Sequence, residues 1–425
     1  MGLFFGNTLE PLPTAKLPFR CDSVIEGSRA LAAIAVVYAH LTAPYEMLDP
    51  KFAPSSLFWQ FEAALPAVLF FFLLSGYVIG ITQDRPASLK GTGSYLYRRA
   101  VRLLPIYFIA VALGWLTLPG PSKIDLIGNF FLLQNAAADN PTGIALLRGN
   151  VNLWSLHYEV VYYIMFIALW WLKPRVWLIL IIPFLLGACG VFQSGFPLWL
   201  AWLSCGSIFW LLGLYVAWRL PFDESATKAP WPCALVLVLL TWKLEITQSA
   251  LKLFGFEVAW LPAVIFPYLD SLPVLLWLFI LLSRRSFSHL NILELLVWLL
   301  PLLTIIWRIR NGSPHFAEPL FFHLCLFIVA LVLRVWKPSL HSISILAPLG
   351  GMSYGIYALG GPAQHFVWQL FPNFSGTWWT FSVRISLTIA LILAAAWILE
   401  IWLQPKIRSL IDDICSKVTT GFRSV

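Results

Sequence analysis

His40 stands eleven residues after Arg29 in RALAAIAVVYAHL. Eleven residues are close to three helical turns, so both side chains share one helix face, about 16 Å apart along the axis, which places His40 near mid-bilayer. A neutral imidazole inside an apolar helix can take a proton from a hydroxyl, or it can be a packing histidine bonded to a neighbouring helix. In YLYRRAVRLLPIY, Arg99 and Arg102 are three apart and share a face, and Arg98 lies four before Arg102. Clustered guanidiniums suit phosphates such as the diphosphate and 3′-phosphate of coenzyme A. Topology anchoring and lipid-headgroup contact would place arginines there equally well. In NLWSLHYEVVYYI, Glu159 lies about two turns into an apolar helix, followed by Tyr162 and Tyr163 on the same side. That carboxylate needs a partner: it can orient a histidine, bind an acceptor hydroxyl or make a structural hydrogen bond. His157 sits nearer the rim and reads as interfacial. Ser75 and Gly76 in FFFLLSGYVIG, and the Gly, Ser and Tyr residues of GGMSYGIYALGGP, read by themselves as tight helix packing.

These residues require a scaffold in which polar groups are rare. Of 425 residues, 60% are hydrophobic and 11% charged, and the mean hydropathy is +0.80. Soluble domains carry about 25% charged residues. The chain is therefore expected to be an all-α, polytopic transmembrane helical bundle. The 22 Trp and 13 Tyr fit interfacial aromatic belts. The net charge of +8 comes from basic residues scattered at the ends of apolar runs, which argues against a nucleic-acid partner. The six cysteines form no CxxC pair and read as small buried hydrophobes. No metal is expected, because His40 has no ligand three or four residues on.

Apolar windows at 30–47, 62–82, 100–118, 153–172, 176–192, 198–219, 232–254, 259–283, 292–309, 319–336, 345–371 and 380–403 predict about 12 spans. The short window at 176–192 and the one interrupted by Lys243 and Glu245 leave 10 as the fallback. With both termini cytoplasmic, 20 of the 28 Lys and Arg fall on cytoplasmic segments and 7 on outer ones, as the positive-inside rule requires. This places residues 1–29 as a cytoplasmic N-terminal segment, 30–403 as the membrane domain and 404–425 as a cytoplasmic tail. Pro11, Pro13 and Pro18 interrupt the N-terminal segment, so no cleavable signal peptide is expected. Ile124–Gln134 is short and apolar-rich, and is expected to lie along the outer interface. Arg384 and Glu400 fall in or near the last window without an assigned role.

The five stretches, taken in order, resemble the membrane-bound acyltransferase-3 family. The residues that carry the resemblance are Arg29 and His40, Phe71–Gly76, then Arg99, Arg102 and Pro105. Trp154, Ser155, Leu156 and Glu159 follow, with Ser353, Tyr354 and Tyr357 last. The middle windows match only in being apolar. Two positions depart from many relatives: Leu69 replaces an Asp, and Gly360 replaces a late histidine, for which His365 is a nearby but non-matching substitute. The resemblance implies transfer of an acyl group, often acetyl, from cytoplasmic acyl-CoA to a hydroxyl of an extracytoplasmic carbohydrate or lipid-linked glycan. The expected setting is a bacterial inner membrane. It casts Arg29, Arg99 and Arg102 as holding the acyl donor, with His40 as general base or transient acyl carrier. Glu159 would orient the acceptor or polarise His40. Without that resemblance, the same intramembrane charges would also suit a transporter or flippase for a glycan intermediate, or a non-catalytic acyl-CoA sensor.

Overall fold

The computed structural model describes residues 22–43, 48–49, 51–52, 54, 56–83, 85–118, 122–137, 139–193, 195–253, 266–311 and 317–421. The expectations about a signal peptide and most of the N-terminal segment fall outside them. The described chain is all-α, with two isolated backbone bridges, Phe222 to Arg285 and Lys228 to Ser339.

Helix α1 spans Ser23–Thr42, with the Asp22 side chain capping it by accepting from Val24 N at 3.1 Å. It starts seven residues before the predicted window, so Arg29 lies inside the helix and not at its edge. It ends at Thr42 because Ala43, which precedes Pro44, adopts extended backbone. His40 is therefore near the end of α1, not at mid-span. Helix α2 spans Ala64–Thr82, and α3 runs Leu89–Thr117 with Pro105 inside it. The 29 residues of α3 begin well before the predicted window, which puts Arg98, Arg99 and Arg102 in its interior. Helix α4 covers Lys123–Phe130, capped by Ser122, with Ile124 and Ile127 exposed. Helices α5 (Trp154–Leu172), α6 (Val176–Phe192) and α7 (Leu198–Arg219) follow.

The predicted window 232–254 is broken. Helices α8 (Trp231–Leu244) and α9 (Ile246–Leu253) meet at 48°, with Glu245 in left-handed backbone at φ 50°. The charges that interrupt the apolar run also hold the bend. Lys243 Nζ pairs with Glu62 Oε2 at 3.2 Å, and Arg308 pairs with Glu245 at 3.6 Å. Helices α10 (Phe266–Leu282), α11 (Leu290–Asn311) and α12 (Ala317–Leu333) complete the middle of the bundle. The window 345–371 is also divided. Short turns at His341–Ser344 and Ala347–Gly350 precede α13 (Ser353–Leu370). Helix α14 (Trp378–Ala396) passes without a break through a π-helical segment, Trp397–Leu403, into α15 (Gln404–Gly421).

Among the described residues, seven helices are long and apolar enough to cross a membrane, or eight if the bent pair counts as one span. Val176–Gly190, Phe266–Leu282 and Leu320–Leu333 are shorter apolar helices. The expectation of about 12 spans, with 10 as the fallback, is thus matched only in part.

Two observations show what holds the bundle. Where α2 crosses α7, a Cβ on Gly76 would lie 1.9 Å from Trp210 O, and one on Gly213 would lie 2.0 Å from Leu73 O. Only glycine lets these backbones touch, the small-residue packing that replaces hydrophobic driving force in lipid. At the His40 end, Arg384 is fully buried. Its guanidinium donates to the carbonyls of Phe374 at 2.8 Å, Leu48 at 2.7 Å and Phe371, which fastens two loops to α14.

Candidate active site

Helices α1, α2, α3, α5 and α13 enclose a cavity of about 830 Å³, including its open mouth. Three guanidiniums reach it: Arg29 from α1, and Arg99 and Arg102 from α3. Their convergence follows from helix geometry. Arg99 and Arg102 are one turn apart on α3, and the early start of α1 brings Arg29 to the same depth. Arg29 and Arg99 are partly buried, while Arg102 is exposed. Arg98 is not among the lining residues; it bonds Ser94 Oγ at 2.7 Å and reaches Gln83 Oε1 at 3.5 Å.

Arg99 lies against two aromatic rings set edge to face, 5.6 Å from the Tyr95 ring centroid and 5.5 Å from that of Tyr163. Its Nη2 is 3.5 Å from Thr82 Oγ1, and its buried Nε has no hydrogen-bond partner among the described residues. Ser353 Oγ, at the start of α13, is also buried, lines the cavity and lacks a partner among the described residues. Each such orphan costs free energy unless something satisfies it. Two unspent donors beside three cations make a cavity suited to an anion rich in acceptor oxygens.

Helix α5 brings Glu159 to the same cavity. Its Oε1 accepts from Ser75 Oγ at 2.7 Å and from Tyr163 OH at 2.5 Å. Tyr163 is one turn further along α5, so sequence proximity alone places it there. Tyr162 turns away and donates to Leu203 O at 2.9 Å. Ser75 is the surprise. Read alone it is a packing residue, and only the side-chain bond from α2 to α5 makes it a carboxylate donor. Above Glu159, Tyr357 OH donates to Asn152 O at 2.5 Å and takes a 2.6 Å bond from Ser155 Oγ. Tyr354 OH donates to Leu103 O at 3.1 Å, tying α13 to α3.

Of the five predicted site residues, Arg29, Arg99, Arg102 and Glu159 line this one cavity, and His40 does not. His40 lies further along α1, about 16 Å from Arg29 by helical rise, and its carbonyl is 3.4 Å from Gln364 Nε2 of α13. Helices α1 and α13 run side by side between the two places. His157 bonds Leu132 O through Nδ1 and is not among the lining residues. The two departures are also placed. Leu69 is fully buried in the apolar core and is not among the lining residues. A Cβ on Gly360 would meet Asn152 Nδ2 at 3.7 Å and Val37 at 4.0 Å, so this position faces α1 one turn before His40.

The chain was compared with protein families, curated proteins and solved structures. The family model described as acyltransferase domain matches residues 22–299. No curated protein and no solved structure matches. The matched stretch takes in Arg29, His40, Arg99, Arg102 and Glu159, and ends before α13.

Proposed function

Since the chain belongs to the acyltransferase-3 family and is a multi-pass membrane acyltransferase, we propose that it moves an acyl group, acetyl by preference, from cytoplasmic acyl-coenzyme A to an extracytoplasmic glycan. The acceptor would be a hydroxyl of a polysaccharide or of a lipid-linked glycan, and the setting a bacterial inner membrane with both termini cytoplasmic. The observation that carries this reading is the convergence of Arg29, Arg99 and Arg102 on one cavity that also holds two orphaned donors. Diphosphate and 3′-phosphate groups offer the planar oxygen pairs that guanidiniums grip with two bonds.

In this reading the three arginines bind and orient the donor's phosphates at one end of α1. The donor supplies the acyl group as a thioester. The distance from the arginines to His40 along α1 is one that an extended pantetheine arm is long enough to bridge, which explains why the histidine is remote from the cations. His40 then takes the proton of the acceptor hydroxyl as general base, or carries the acyl group transiently. Glu159, fixed by Ser75 and Tyr163, orients the acceptor or acts on His40 through the polar groups between them. Ser155 and Tyr357, bonded to each other, line the same cavity as Glu159, and Tyr357 is also bonded to Asn152 O.

The test is mass spectrometry of surface glycans from cells with and without the gene. Loss of one acyl unit per modified sugar, restored by the wild-type gene but not by the Arg102→Ala variant, is the expected result. Unchanged glycans would remove the proposed acceptor.

A further inference from the structure

Glu400 lies in the last long helix, within the π-helical segment Trp397–Leu403. Such segments occur mostly as local insertions within α-helices, frequently at functional sites. Here its neighbours Trp397, Ile398, Ile401 and Trp402 are exposed, while Glu400 is 8% exposed and turned inward. A buried carboxylate in a span is costly unless it has a partner.

Its partner is backbone. Glu400 Oε1 accepts the N–H of Gly355, the residue that follows Ser353 and Tyr354 in the cavity wall. A Cβ on Gly355 would meet Ala396 Cβ at 3.0 Å and Glu400 Oε1 at 3.1 Å, so glycine is what lets the last helix close against α13. One turn beyond, Gln404 Nε2 donates to Arg102 O at 2.7 Å. Two turns further, Asp412 accepts from Tyr97 OH at 2.5 Å. These three contacts fix the register of the last helix against α13 and α3. They bring Glu400 within one turn of the backbone of Arg102, and within Coulombic reach of Arg102 and Arg29. Glu26 already pairs with Arg29 at 3.4 Å, and Glu159 also lines the cavity. Three carboxylates, Glu26, Glu159 and Glu400, thus stand near the three guanidiniums, of which Arg29 is ion-paired to Glu26.

We propose that Glu400 is a positioning residue that competes with the donor's phosphates for Arg29 and Arg102, so that the anionic product coenzyme A is held loosely enough to leave. The inference rests on the donor site described above. A fixed negative charge next to a polyanion weakens its binding, and it does so most where water is partly excluded. When the cavity is empty, the same charge keeps neighbouring guanidiniums from driving one another apart.

The test titrates free coenzyme A into the purified full-length protein in detergent, by calorimetry, for wild type, Glu400→Gln and Arg102→Ala. The glutamine oxygen still accepts from Gly355 at nearly the same volume, so the fold is kept. If Glu400→Gln is unstable, Glu400→Met carries the same expectation. The expected result is coenzyme A binding about tenfold tighter in the Glu400 variant, with both the donor KM and kcat lowered because product release slows. A role limited to holding helices together would not tighten anion binding. Unchanged or weaker coenzyme A binding in Glu400→Gln, with Arg102→Ala still weakening it, overturns the proposal and leaves the donor site standing. Absence of coenzyme A binding in wild type, or no effect of Arg102→Ala, overturns the donor site and this inference together.

Discussion

Ser75 Oγ donates to Glu159 Oε1 across 2.7 Å, joining two helices through residues 84 apart in the chain. The bond turns a serine that reads as packing into part of the candidate active site. It also explains how an intramembrane carboxylate is satisfied without a direct ion pair: its Oε1 takes hydroxyl donors from Ser75 and Tyr163.

Removing that charge is therefore expected to cost activity before stability. Glu159→Gln should lower kcat/KM for acyl transfer by about 10²-fold or more. Ser75→Ala, which leaves Tyr163 in place, should cost about tenfold or less in rate and about 1 kcal/mol in stability. Steady-state assays on purified protein, with thermal unfolding in the same detergent, separate the two effects. Equal losses in both variants would show that Ser75 and Glu159 act as one unit.

His40 lies beyond the arginine cavity, so binding and chemistry should separate there. His40→Ala is expected to lower transfer by about 10²–10⁴-fold while coenzyme A affinity stays at the wild-type value. Rapid quenching with labelled acyl donor and no acceptor adds the mechanism. Label retained on wild-type protein and absent from His40→Ala identifies His40 as the acyl carrier. No label on either identifies it as the base. Wild-type transfer rates in His40→Ala would end its role in the chemistry.

The arginines should act on the donor and not on the acceptor. Arg102→Ala is expected to raise donor KM by about 10–100-fold, with acceptor KM unchanged. Arg99→Lys should also be impaired, since an ammonium cannot reproduce the contacts of a planar guanidinium with Tyr95 and Tyr163. Initial rates at varied donor and acceptor concentrations check both. Donor KM should also rise with salt, because Arg102 is exposed.

The crossing of α2 and α7 should tolerate no side chain. Gly76→Ala would place its Cβ 1.9 Å from Trp210 O and is expected to destabilise by about 1–3 kcal/mol, visible as a lower Tm and lower yield. Gly93, in α3, has nothing within 4 Å of a built Cβ, so Gly93→Ala should be neutral or slightly stabilising. Equal behaviour of the two variants would mean that the backbones do not meet as described.

Composition alone made the chain a helical membrane protein, because in lipid each backbone polar group must be satisfied within its own segment. Spacing alone put Arg99 and Arg102 on one face and Tyr163 beside Glu159, because one helical turn is a local property. The sequence could not place what depends on contacts between distant segments. It took Ser75 for packing, gave Glu400 no role and put His40 at mid-span. Tertiary structure decided these points: Ser75 of α2 reaches Glu159 of α5, a π-helical segment turns Glu400 toward Gly355, and Ala43 ends α1 early. The bend between α8 and α9 belongs to the same class, since Lys243 and Glu245 interrupt an apolar run in sequence but find Glu62 and Arg308 only in the fold. A hydropathy pattern records how each residue prefers lipid or water. It does not record which helix stands opposite, and a polar group within a bundle takes its function from that neighbour.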